Sequence, residues 1–207
     1  MIQLYVNTAN LKFLHDHIGG GPAHNAEALQ WQLMSRELGG ERIAFAIDLK
    51  TQYWLCFKIA SLSDEPSGDE PGCLDDFKEH FLKQVSEHAL RVCNLSEEEA
   101  TRLAHWINIA LEPLEIHPLV DREAHPLLKR QGRFVESLIA DGYPMPTTSL
   151  EWFQLSLPFN RIANAQYSPL EAFQQFWLGL LQFMQHRELA SSPPKIPNNV
   201  IPFRRPQ

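Results

Sequence analysis

The sequence predicts one α+β domain, a small, mostly antiparallel sheet built around a hairpin at 42–59 and packed by several helices. Three observations predict it. Between Arg42 and Ile59, Ile43, Phe45 and Ile47 alternate, Asp48-Leu49-Lys50-Thr51 can turn, and Tyr53, Leu55, Phe57 and Ile59 alternate again, the pattern of two half-buried strands. Elsewhere apolar residues recur at steps of three and four, the period of a helix buried on one side. The chain has 207 residues, 44% of them apolar and 21% charged. A chain of that length buries roughly 70% of its unfolded surface, so its core needs neither a disulfide nor a metal.

Ile2 to Val6 is a short β-favouring run, and Asn7 or Thr8 can cap a helix that ends near His17, where Gly19-Gly20-Gly21 breaks it. From Asn25 to Leu38, the spacing of Leu29, Leu33 and Met34, with Trp31 on another face, predicts a second helix stopped by Gly39 and Gly40. The hairpin follows. Within it, Asp48 is read as a turn residue that accepts backbone hydrogen bonds. Ser61 to Gly72 is acidic with two prolines and is expected to be a flexible loop.

Leu74, Phe77, Phe81, Val85, Ala89 and Val92 mark an amphipathic helix near 74–93. Ser96 followed by Glu99 is a capping-box pattern at the start of a helix near 97–110. Leu114 to Leu119 is a candidate strand, and Pro126 suits the first position of a helix near 126–141 that ends at Gly142. Glu151 to Leu157 is read as a further strand, and Ser168-Pro169 opens a last helix running to about Arg187. The domain therefore spans 1–190, and the proline-rich tail at 191–207 is expected to be disordered.

Eighteen Lys and Arg against twenty-five Asp and Glu give a net charge of −7, which repels a phosphate backbone and argues against nucleic acid as a partner. Two small basic clusters, Lys129, Arg130 and Arg133 and then Arg204 and Arg205, read as solvated residues rather than a binding stripe. No apolar run reaches the ~18 residues that cross a bilayer, and the opening residues lack a signal-peptide pattern. A cytoplasmic location is expected, with no membrane partner. Cys56, Cys73 and Cys93 form no C-x-x-C pair and read as free thiols.

No G-x-S-x-G, P-loop, G-x-G-x-x-G or H-E-x-x-H pattern is present, so no nucleophile or phosphate cradle is legible. His15 and His17 lie two apart on the expected helix and cannot both face one ion unless that segment is extended; the glycine-rich loop could bring His24 near them, but two helix-surface histidines and one loop histidine are the favoured reading. The stronger metal candidate is the 117–125 segment. His117, Asp121 and His125 would share one helical face and offer two nitrogens and an oxygen to Zn²⁺, Mn²⁺ or Fe²⁺, with Glu123 as general base. Pro118 and Pro126 oppose a continuous helix through them, because the residue before a proline is driven out of the helical region. On the last helix, Leu170, Phe173, Trp177, Leu180, Leu181 and Met184 form one broad apolar face, and Phe176 and Phe183 add a second strip. Either that helix is buried nearly all round, or the strip meets another chain.

Several segments resemble a family of uncharacterised bacterial single-domain proteins. They are Met1-Ile2-Gln3-Leu4, Trp31 ahead of the RIAFAIDLKTQYWLCF hairpin, DREAHPLL, and LPFNRIANAQYSPLEAF, together spanning most of residues 1–173. The resemblance implies an α+β fold and a bacterial origin, and it supplies no catalytic residue. The acidic insert and the proline-rich tail depart from the compact form of that family.

Together these readings predict a non-catalytic, cytoplasmic binding or regulatory protein that acts through protein–protein contacts, as an accessory or antitoxin-like component, with no cofactor. Phe176 and Phe183 are its candidate partner-binding residues, toward a protein partner or a second copy. The alternative is a metal-dependent hydrolase or nuclease built on His117, Asp121, His125 and Glu123.

Overall fold

Both strands of the expected hairpin form in the computed structural model, which describes residues 2–6, 29–59, 72–111, 114–119, 125–162 and 167–191. The sequence-expected helix near 7–17, the acidic loop before Gly72, and the proline-rich tail lie outside the described residues. β3 (Glu41–Asp48) and β4 (Trp54–Lys58) pair antiparallel, with Ile47 opposite Trp54. Asp48 closes the turn by accepting from Lys50 N at 3.2 Å and from the Thr51 hydroxyl at 2.6 Å. Burial raises the Asp48 carboxyl pKa despite these hydrogen bonds.

The segment ahead of the hairpin corrects the sequence reading. A helix is expected over 25–38, but residues Leu29–Leu38 form strand β2, antiparallel to β3 with Leu38 opposite Glu41. Gly39 and Gly40, read as a helix stop, have φ of 58° and 80° and make the two-residue turn between the strands. Two consecutive positive φ values match the twist of a hairpin, and glycine adopts them without a Cβ clash. The strand escapes a simple alternation test because both its faces are buried: Trp31 and Leu33 on one, Gln32 and Met34 on the other.

β1 (Ile2–Val6) pairs parallel with β2 and also with β5 (Leu114–Pro118), giving the order β4-β3-β2-β1-β5. The sheet is therefore mixed, which corrects the expected mostly antiparallel sheet. Long connections reach both neighbours of β1, and a long connection lets the chain re-enter the sheet in the same direction, whereas a tight turn must reverse it.

Helices cover both faces. Ile2, Leu4, Val6, Trp31, Leu33, Leu55 and Phe57 pack against α1 (Gly72–Cys93), α2 (Glu97–Leu111) and α5 (Pro169–Ser191). Tyr53 stacks on Phe173 at 3.9 Å, and Trp31 meets Phe81 and Phe173 edge-on, so aromatic area carries much of this layer. On the opposite face, Met34, Ile43, Phe45, Trp54 and Cys56 pack against α3 (Pro126–Ala140) and α4 (Ser149–Asn160). α4 replaces the strand expected at 151–157. Thr148 and Glu151 form a reciprocal capping box that starts it, and Trp152, Ser156 and Asn160, four apart, turn inward. The expected Ser96–Glu99 box forms, and Ser168 with Glu171 makes another.

Candidate functional site

The parallel half of the sheet carries polar side chains where such sheets are ordinarily apolar. Alternation puts Gln30 and Gln32 of β2, Gln3 and Tyr5 of β1, and Glu115 and His117 of β5 on the face opposite Ile2, Leu4 and Val6. Register aligns them in two cross-strand rows, Gln30–Gln3–Glu115 and Gln32–Tyr5–His117. Gln3, Tyr5, Gln32 and His117 are buried. Buried polar groups are costly unless paired, and these pair largely with one another.

Glu115 joins the rows. Its Oε2 lies 3.3 Å from His117 Nε2 and accepts from Gln3 Nε2 at 3.3 Å, while the Tyr5 hydroxyl donates to Gln3 Oε1 at 3.3 Å. The Tyr5 and His117 rings lie 5.5 Å apart. A carboxylate at Nε2 favours the imidazole tautomer with its proton there, leaving a lone pair on Nδ1. That Nδ1 is buried and has no hydrogen-bond partner among the described residues. Glu115 stays half open, with its side chain 44% exposed against 8% for His117. In β1 and β5 the second row lies toward the C-terminal ends of the strands, the end where open sheets with crossover helices receive ligands.

His125 borders this area from α3. Its backbone N–H donates to Gln32 Oε1 at 2.9 Å, and its Nδ1 accepts from Leu127 N, capping the helix that Pro126 opens. Capping requires a neutral ring, and burial lowers the His125 pKa in that direction. Of the sequence-expected metal set, the structure thus places His117 in a strand and His125 at a helix cap. Asp121 and Glu123 lie outside the described residues. Among the described residues, no group of three or more His, Cys, Asp or Glu side chains is placed to hold an ion.

The candidate contact residues of α5 divide. Phe183 is 60% exposed. Phe176 is half-buried against the core, 5.1 Å from Trp177, with Lys50 Nζ 5.6 Å from its ring centroid. Arg130 and Arg133 are exposed on α3, and Arg204 and Arg205 lie outside the described residues. Cys56 is buried among apolar side chains, which pushes its thiol pKa well up, and burial takes Cys93 to about 11. Neither has the lowered pKa of a reactive cysteine.

No family model matches the chain, and no curated protein matches it. None of the described helices is long and apolar enough to cross a membrane.

The residues that sequence reasoning missed are Gln3, Tyr5, Gln32 and Glu115. A signal existed for most of them: in IQLYV and LEIHP the polar positions fall on every second residue, the period that gathers them on one face of a strand.

Proposed function

We propose that the chain is a non-catalytic binding protein that works through protein contacts, with Phe183 in one contact surface. The observation that carries the reading is the 60% exposure of Phe183 on a helix whose Phe173, Trp177 and Leu181 are buried. Aromatic side chains and methionine are enriched at interface cores, and Met184 adjoins Phe183 on this stretch of α5. The role is that of an accessory or antitoxin-like component in the cytoplasm, engaging a protein partner or a second copy. Phe183→Asp tests it. The variant should keep its helical circular dichroism while losing the mass in solution or the co-purifying protein found with wild type; unchanged mass and unchanged partner recovery would overturn the reading.

The unpartnered Nδ1 of His117 favours a second reading, a metal-dependent hydrolase or nuclease. Glu115 behind the imidazole is the carboxylate–histidine arrangement that orients a metal ligand. His117, Asp121 and His125 would hold Zn²⁺, Mn²⁺ or Fe²⁺, with His125 using Nε2 because Nδ1 caps α3. Glu123 would take a proton from a metal-bound water. Metal analysis of purified protein decides it: stoichiometric metal lost in His117→Ala supports this reading, and metal-free wild type after reconstitution with each ion removes it.

A further inference from the structure

We propose that the seam between α3 and α4 docks an acidic amphipathic helix of another protein, which seats an apolar side chain on Phe134 and sets carboxylates against Arg130 and Arg133. These two helices cover the face of the sheet opposite α5, so the seam is a second contact, independent of Phe183.

Three rings run outward from the sheet in this layer. Trp54 is buried on β4, Phe159 meets it edge-on with centroids 5.1 Å apart, and Phe134 of α3 meets Phe159 edge-on at 4.8 Å. Phe159 is half-buried, and Phe134, the outermost ring, is 42% exposed. Leu127, two turns before Phe134 on the same side of α3, is half-buried, and Ile162, just beyond the end of α4, is exposed. One exposed apolar residue is ordinary on a protein surface, but here the ring that solvent reaches ends a packed row and has further apolar groups beside it. An aromatic anchor held by a rigid core is where interface energy concentrates.

The rim of the seam is basic in an otherwise acidic chain. α3 carries Lys129, Arg130 and Arg133 against a single carboxylate, Glu136, which pairs with Arg36 of β2 at 2.6 Å. Arg130 stands one turn before Phe134 and Arg133 next to it, and both are exposed. Arg161 is exposed at the end of α4. Asp141, two turns beyond Phe134 at the C-cap, limits the basic rim on that side. Positive rim charges around an apolar anchor complement a partner with carboxylates around an apolar side chain.

Guanidinium groups take phosphates as readily as carboxylates, so the rest of the surface decides between them. A net charge of −7 repels a phosphate polymer, charged at every unit, more than a segment with a few carboxylates. Leu127 and Ile162 also match apolar side chains, which a phosphate backbone lacks. From Leu127 to the half-buried Leu138 the apolar side of α3 runs about 16 Å, the length of roughly three turns of a docked helix.

Fluorescence anisotropy with a defined probe tests the proposal. The probe is a labelled synthetic helix with leucines at i, i+3, i+4 and i+7 and glutamates elsewhere. Wild type should bind it saturably, and binding should weaken as salt rises. Arg130→Glu combined with Arg133→Glu should lose affinity by about tenfold or more, and Phe134→Ala by a similar factor, while Phe183→Asp should bind as wild type does. If Phe134→Ala does not fold, the arginine variant decides, since both arginines are exposed. The proposal is overturned by no saturable binding, by equal binding of the same helix with lysines in place of glutamates, or by an arginine variant that binds as wild type. It is also overturned by a labelled oligo-dT that binds more tightly than the peptide and is lost in the arginine variant, which would make the seam a nucleic-acid surface. Loss of the peptide in Phe183→Asp and not in the arginine variant would overturn it too and leave the α5 contact standing.

Discussion

The carboxamide of Asn160 makes both hydrogen bonds that a neighbouring strand would make to Trp54. Its Oδ1 accepts from Trp54 N at 2.8 Å, and its Nδ2 donates to Trp54 O at 2.7 Å. A single side chain from the last position of α4 thus stands in for a sixth strand and ties that helix to the sheet.

Removing that carboxamide leaves a buried N–H and a buried C=O without partners. Asn160→Ala should lower stability by about 2–4 kcal/mol, the cost of stranding two groups at roughly 1–3 kcal/mol each with partial relief from water. Asn160→Asp should cost at least as much, because it keeps the acceptor, loses the donor and buries a carboxylate. Urea titrations check both: the midpoint should fall with the slope unchanged.

His88 makes stability depend on pH. The ring is fully buried, 3.0 Å from the Tyr53 hydroxyl through Nδ1, and desolvation followed by the nearby Arg91 charge lowers its pKa to about 3. In the unfolded chain the ring takes a proton near pH 6.5, whereas the folded ring stays neutral until about pH 3, so stability is complete above 6.5 and falls as pH drops between them. One such group at about 1.4 kcal/mol per pH unit removes about 2 kcal/mol between pH 6.5 and 5. The lowered pKa values of His80 and His125 act in the same direction. Denaturation curves across this range should show the decline, and His88→Gln should flatten it; an equal slope in that variant would show that His88 is not its source.

Gly40 has φ of 80° and open space around an added Cβ. The penalty for Gly40→Val should therefore be conformational rather than steric against neighbours, on the order of 1–2 kcal/mol or more for a branched residue in a left-handed position. Gly39→Asn, at φ 58°, should be nearly neutral, since asparagine enters that region readily. Thermal melts of the two variants compare them directly.

Phe176 and Phe183 should separate in stability assays. Phe176→Asp introduces a charge beside Trp177 and is expected to cost about 1–3 kcal/mol, whereas Phe183→Asp should stay within ~0.5 kcal/mol of wild type. Equal losses in chemical denaturation would mean that the two phenylalanines share one environment.

The hairpin was legible because its two strands alternate cleanly around a residue, Asp48, suited to the turn. β2 was not, because Trp31 and Gln32 are both buried and the pattern carries no single period; the pair Gly39-Gly40 held the better clue as a two-residue turn. The sequence of α4 carries the Thr148–Glu151 box, but the apolar residues of EWFQLSL also suit a short strand. Parallel pairing of β1 was illegible in principle, since no local feature of Ile2–Val6 specifies partners at 29 and 114. The polar rows share that difficulty: each strand shows its own alternation, but only the register brings Gln3, Glu115 and His117 together.

Because β1 lies between β2 and β5, it is synthesised before both of its neighbours. The β2–β4 meander can gather from contacts close in sequence soon after it leaves the ribosome, whereas β1 gains its second flank only after α1 and α2 have been made. The strand translated earliest among the five is thus among the last to be locked in, and refolding should show a slow phase that reports its insertion.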